Sequence, residues 1–393
     1  MESGAKEPEL VTEKLSLLVD GTIVTAMVTD KGEVAHIGRL AAEDIRRSTI
    51  GTSQSGSKDR YQFTLRKEIT LSGSLNFDKM LPEILRVLLR GAGQVVFCGN
   101  AATGLCVLMA LYVGGIITGL AATIGLISST VTAYALRFCK EDIEAGLYGF
   151  NGVLAGACLS IFLEHTPQFW LYIVLASMLS SILWIALTRA LRMFNIPAAT
   201  SPFVLISWIF LVMIYVFDSR TLGSMLPIVN MQMIVIDIGA IPLEKWLAAL
   251  MRSIGQIVFA DNILAGGLLL VGIAIATLRG AFMAISGAFI GVIVPMLAGV
   301  NQGDIEAGLY GFNSVLTMIA VGWVFLESSG KTALLAILAG ILAVLYQLGL
   351  TNLLSPLGLP VLASPFILTL WTILFIVNKF RYWFPSEKTA EIN

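Results

Sequence analysis

Residues 144–154 read EAGLYGFNGVL and residues 306–316 read EAGLYGFNSVL, the same eleven letters save one, 162 positions apart and inside apolar sequence. The doubling extends outward. GQVVFCGN (93–100) matches GQIVFADN (255–262) at the same offset of 162, and IPAATSPF (196–203) matches LPVLASPF (359–366) at 163. Three matched blocks in one order mean that a single ancestral half was duplicated and fused. Two copies of about 160 residues are not the many short units of a soluble solenoid.

The solvent of these halves is set by composition. The 393 residues are 56% hydrophobic and 13% charged, with a mean hydropathy of +0.84, more apolar side chain than a water-facing surface accommodates. Charge is concentrated at the start: 23 of the 51 charged residues fall at or before Lys79. A polar head (1–80) therefore precedes a membrane body. MESGAKEPELVTEKL carries alternating charges and no apolar core of a secretory signal, so the head is expected in the cytosol. Within it, TIVTAMVTDKGEVAHIG alternates like a hairpin with DKGE as its turn, which suggests a small α+β or β-rich module. Cys98, Cys106, Cys139 and Cys158 lie in or beside apolar runs of one half and read as reduced, buried small hydrophobes. A net charge of −1 gives no argument for nucleic acid.

Apolar runs near membrane-spanning length fall at about 92–113, 117–137, 147–163, 169–188 and 203–217, then at about 254–277, 281–299, 308–326, 332–350 and 366–378. With a cytosolic head and one crossing per run, Arg137, Lys140, Arg189, Arg192, Arg279, Lys331, Lys379 and Arg381 fall inside, while Arg220, Lys245 and Arg252 fall outside. The positive-inside rule then favours an even count with both termini cytosolic. The fold expected is an all-α membrane protein of about ten transmembrane helices. Its parts are repeat A (81–217), a connection (218–245), repeat B (246–380) and a cytosolic tail (381–393). Five spans per half invert the second copy, an arrangement of transporters and channels. Runs opening on SPF or interrupted by glycine suggest half-spanning or re-entrant segments, which are tolerated where their backbone faces protein or a water-filled path.

The repeated residues supply candidates for that path. Phe150 and Leu154 share one helix face, as do Phe312 and Leu316, and two such pairs make flat apolar walls. Gln94 and Gln256 each place an amide in an apolar segment, where it serves either as a helix–helix clamp or as an acceptor for a passing solute. Asn151 and Asn313 are expected to hold irregular backbone. Asp142 and Asp304 are read as caps of the helices carrying LYGFN, with Glu144 and Glu306 in the first turns, rather than as an acid/base relay. Only His36 and His165 are present, and neither lies in a span. No metal-ligand, Walker or nucleophile motif appears, so no metal, cofactor or enzymatic chemistry is expected, and the cargo is neutral, polar and small.

LYGFNGVL and LYGFNSVL, with GQVVFCGN, GQIVFADN and the two SPF blocks, resemble the urea transporter family over about residues 80–380. The resemblance implies a channel-like facilitator of urea in the cell membrane, a homotrimer whose protomers each hold a pore between inverted halves. It also implies slots walled by aromatic and leucine side chains, with ladders of backbone carbonyls accepting the urea N–H groups. Carried onto this chain, the site residues are Gln94, Phe97, Phe150 and Leu154 in one half and Gln256, Phe259, Phe312 and Leu316 in the other. Family members place a threonine two residues before the proline of each Pro-Phe block; Thr200 matches, whereas Ala363 removes the second hydroxyl. Two alternatives stand beside this reading: a channel for other small neutral amides, and a urea-sensing receptor signalling through the head.

Overall fold

The computed structural model describes residues 77–217 and 243–379. The head up to residue 76 with its expected hairpin and His36, the connection from 218 to 242, and the tail from 380 onward lie outside the described residues.

Among the described residues from Glu83 onward, seven helices precede the connection and seven follow it. The first set is α1 (Glu83–Gly93), α2 (Ala101–Gly114), α3 (Ile116–Ala135), α4 (Lys140–Glu144), α5 (Gly149–Phe162), α6 (Pro167–Leu191) and α7 (Ser201–Phe217). The second is α8 (Leu243–Gly255), α9 (Ile263–Ala276), α10 (Leu278–Leu297), α11 (Gln302–Glu306), α12 (Gly311–Ile319), α13 (Gly330–Leu354) and α14 (Ser364–Lys379). Helix starts recur at the offsets seen in sequence. Ala101 and Ile263 stand 162 apart, and Ser201 and Ser364 stand 163 apart. The left-handed backbone positions recur too: Phe97 with Phe259, Arg137 with Gly299, Gly146 with Gly308, Asn195 with Gly358, and Ala199 with Leu362. A positive φ is costly for most side chains. Its recurrence at matched positions shows that the two halves share a backbone path, not only a set of letters.

The ten expected runs resolve into three kinds. α3, α6, α10 and α13 are long and apolar enough to cross a bilayer. α1 with α2, and α8 with α9, are pairs bent by 72° and 74°, which raises the count of membrane-length elements to six. α5, α7, α12 and α14 are shorter apolar helices. The bends have a local cause. α1 and α8 end in 3-10 turns, Gln94–Val96 and Gln256–Val258, and Phe97 (φ 64°) and Phe259 (φ 61°) turn the chain aside. The following helices are then started afresh by asparagine caps. The Asn100 side chain accepts from Thr103 N at 2.9 Å, and that of Asn262 from Leu264 N at 2.8 Å.

Small residues bring helix backbones together, as expected where lipid gives no hydrophobic drive between helices. A Cβ on Gly125 would sit 2.1 Å from the Gly152 carbonyl oxygen, and one on Gly291 would sit 2.2 Å from Gly311 Cα, so α3 meets α5 and α10 meets α12 at backbone contact. Cys98, Cys106 and Cys158 are buried as expected, but Cys139 is exposed: it lies beyond the end of α3 as the N-cap of α4, outside the packed interior.

Candidate functional site

The bends position two loops. Arg90 Nη1 donates to the Glu144 carbonyl at 3.0 Å and Arg252 Nη1 to the Glu306 carbonyl at 3.2 Å. One turn on, Gln94 Nε2 donates to Ala145 O and Gln256 Nε2 to Ala307 O, each at 3.0 Å. Each bent helix thus holds the loop that launches the LYGFN helix of its own half. One amide N–H of each glutamine is thus committed to its loop.

The LYGFN helices in turn hold the SPF starts. Asn151 Oδ1 accepts from Phe203 N and Asn313 Oδ1 from Phe366 N, both at 3.2 Å. Their Nδ2 groups donate to the carbonyls of Ala199 (3.5 Å) and Leu362 (3.1 Å), the two left-handed residues just before α7 and α14. The asparagines therefore brace irregular backbone, as their sequence position suggested. The capping role expected of Asp142 and Asp304 is not what the structure has. α5 and α12 begin at Gly149 and Gly311 without a side-chain cap. The acids lie instead in the five-residue helices α4 and α11, and Gly146 (φ 78°) and Gly308 (φ 74°) end that turn before the next helix begins. Glu144 and Glu306 accordingly fall at the ends of α4 and α11, outside the first turns of α5 and α12.

The halves also exchange contacts. Trp208 Nε1 donates to the Pro360 carbonyl at 2.7 Å, and Trp371 Nε1 to the Pro197 carbonyl at 2.9 Å. Phe97 stacks edge-on against Phe366 with ring centres 5.9 Å apart, and Phe259 against Phe203 at 6.2 Å. In both cases a residue of one half meets the counterpart of its partner in the other half. Such reciprocal pairing is the signature of a two-fold relation between like parts.

A narrow cavity with an open mouth lies between the halves. Gln256, Ile257, Phe259, Phe312, Leu316, Leu362 and Ala363 line it from the second half, and Val95, Leu154, Thr200 and Phe203 from the first. Seven of the ten sequence-predicted residues are thus brought together. Gln94 is buried, Phe150 is buried in the same core as the cavity's wall residues, and Phe97 is half-buried between Phe325 and Phe366; none of the three is among its lining. Val95, Ile257, Phe203 and Leu362 were missed, although all four sit within or at the edge of repeated blocks. Thr200 Oγ1 is buried and has no hydrogen-bond partner among the described residues, and Thr200 lines the cavity, where Ala363 is its counterpart. An unpaired buried hydroxyl is costly unless something comes to meet it.

What these observations define is a membrane protein, helical over the described residues, with a mostly apolar cavity shared by two similar halves. Comparison with known proteins narrows the class: the urea transporter family model matches residues 85–378. The chain is 31% identical over 310 residues to urea transporter 1 of Ovis aries, covering 77% of this chain and 79% of that protein. It is 29% identical over 316 residues to urea transporter 1 of Rattus norvegicus, with the same shares covered. The chain belongs to the urea transporter family.

Proposed function

We propose that this protein is a passive, channel-like facilitator of urea, which crosses the membrane through a pathway between two inverted five-span repeats, 81–217 and 246–380. The observation that carries the reading is the make-up of the shared cavity. Facing rings and leucines flank it, one glutamine amide borders it, and one buried hydroxyl in it lacks a partner among the described residues. Urea is flat and neutral, with four N–H bonds and one strong acceptor, so it fits between apolar walls while a few polar atoms replace its water. An ion loses far more solvation there, and the amide of Gln256 offers no charge in return.

Reciprocal contacts between the halves support the inversion, since an odd number of spans per half turns a two-fold axis into the membrane plane. The short helices α5, α7, α12 and α14 complete the count of ten by crossing with the help of the bent pairs and loops around them. Both termini are cytosolic, the head (1–80) is an accessory module, residues 218–245 connect the repeats, and the protein assembles as a homotrimer with one pathway per protomer.

The test is urea flux into proteoliposomes holding the purified chain, with no ion or pH gradient. Fast, saturable entry that is indifferent to sodium and protons is the expected result. Flux no greater than in empty vesicles overturns the proposal.

A further inference from the structure

The halves keep step at an offset of 162 through Leu154 and Leu316, and at 163 from Phe162-Leu163-Glu164, which returns as Phe325-Leu326-Glu327. Seven residues separate Leu154 from Phe162, and eight separate Leu316 from Phe325. The extra residue falls inside an apolar helix, where a loop cannot absorb it. The structure shows how it is taken up: α5 runs unbroken from Gly149 to Phe162, whereas α12 passes at Ile319 into a π-helical turn, Ala320–Val324. A π turn is the usual way for a helix to accept one inserted residue, and such turns concentrate at functional sites.

The turn delivers Phe325 as the next residue. Its half-buried ring meets Phe97 edge-on, with centres 6.2 Å apart and planes at 82°. Phe97 is therefore held on two sides, by Phe325 and by Phe366. Its counterpart Phe259 is held by Phe203 and lines the shared cavity. Among the described residues Phe162, the counterpart of Phe325, makes no such stack on Phe259; it packs instead against two apolar clusters, one shared by both halves and one drawn mainly from the first.

We propose that Phe325 is a selectivity-determining residue. Set by the π turn against Phe97, it narrows the end of the pathway at the first bend, so that one end admits a thinner solute than the other. The proposal rests on the urea-pathway reading above. A ring held between two others leaves little freedom to swing aside, and a fixed apolar constriction discriminates by width.

The test compares permeabilities to urea and to N,N′-dimethylurea, a wider amide, in proteoliposomes of the wild-type chain, Phe325→Ala, Phe325→Leu and Phe162→Ala. Phe325→Ala is expected to raise the dimethylurea-to-urea ratio by about tenfold, Phe325→Leu by less, and Phe162→Ala to leave it at the wild-type value. Should Phe325→Ala run as an aggregate in gel filtration, Phe325→Leu, which keeps apolar bulk without the flat ring edge, carries the comparison alone. A wild-type chain that passes no urea overturns the pathway reading and this inference with it. A wild-type chain that passes urea while both Phe325 variants retain its ratio, or while Phe162→Ala shifts it equally, overturns this inference only.

Discussion

Asn151 and Asn313 perform one task in two settings. Each accepts from the amide of the phenylalanine that follows an SPF proline and donates to the carbonyl of a left-handed residue. Among the described residues only Asn313 is itself held: its Nδ2 also donates to Gln347 Oε1 at 2.9 Å, and Gln347 in turn donates to the carbonyl of Leu309. The residue matched to Gln347 is Trp184, which packs edge-on against Tyr148 with ring centres 5.0 Å apart. One half is fastened by a buried amide chain and the other by stacked rings. Duplication thus preserved the backbone solution while leaving each copy free to secure it differently, and the second copy did so with groups that tolerate loss less well.

The largest effects are expected where the halves are still alike. An added Cβ at Gly146 meets Gly91 N at 2.4 Å, and one at Gly308 meets Ser253 N at 2.4 Å, both at φ above 70°. Gly146→Ala and Gly308→Ala should each cost at least about 3 kcal/mol, from backbone overlap plus the left-handed penalty. Thermal unfolding in detergent that finds one of them harmless breaks the equivalence of the two loops. Next come the asparagines. Asn313→Ala strands three buried partners and is expected to destabilise by about 3 kcal/mol, against about 1–2 kcal/mol for Asn151→Ala. Equal losses in melting temperature contradict the role given to Gln347.

Gln94 and Gln256 sharpen the comparison on the functional side. Both hold loops through equal hydrogen bonds, but only Gln256 borders the shared cavity. Conversion to leucine should cost about 1 kcal/mol of stability in either half, while urea flux falls by roughly tenfold for Gln256→Leu and much less for Gln94→Leu. Flux changes of the same size place both amides on the pathway. The smallest effect lies at the surface. Lys245 Nζ, 3.1 Å from Glu306 Oε1, holds that carboxyl below the ordinary carboxylate range, with Gln302 also donating to it. A carboxyl with a lowered pKa stabilises the fold above its unfolded value and loses that contribution as pH falls. Lys245→Ala should therefore cost a few tenths of a kcal/mol at neutral pH, a difference that fades as pH drops from 4.5, the value of an ordinary glutamate. A melting difference that persists at lower pH rules the ion pair out as its source.

Much of this arrangement is legible in the letters because repetition marks it. LYGFN, the GQ blocks and SPF name the two loops, the two bends and the two bracing asparagines, and from them seven cavity residues follow. What the letters hide is how far the copies have drifted. The inserted residue before Phe325 is one apolar letter in an apolar run, and periodicity alone does not reveal that a helix widens to accept it. The cap expected of Asp142 failed because a left-handed glycine, Gly146, splits what reads as continuous helix. Phe97 carries the same signal as Phe259, and among the described residues its neighbour Phe325 is what separates their roles.

Trp371 reaches back 174 residues to the carbonyl of Pro197, and Thr103 reaches forward 169 to that of Gly272. During synthesis Thr103 must therefore wait unmatched until α9 emerges, and the Pro197 carbonyl until α14. Contacts so distant along the chain are slow to form and leave incomplete surfaces exposed in the meantime. The interface between the copies is therefore completed last, and a chain cut anywhere before Trp371 lacks one of the two indoles that close it.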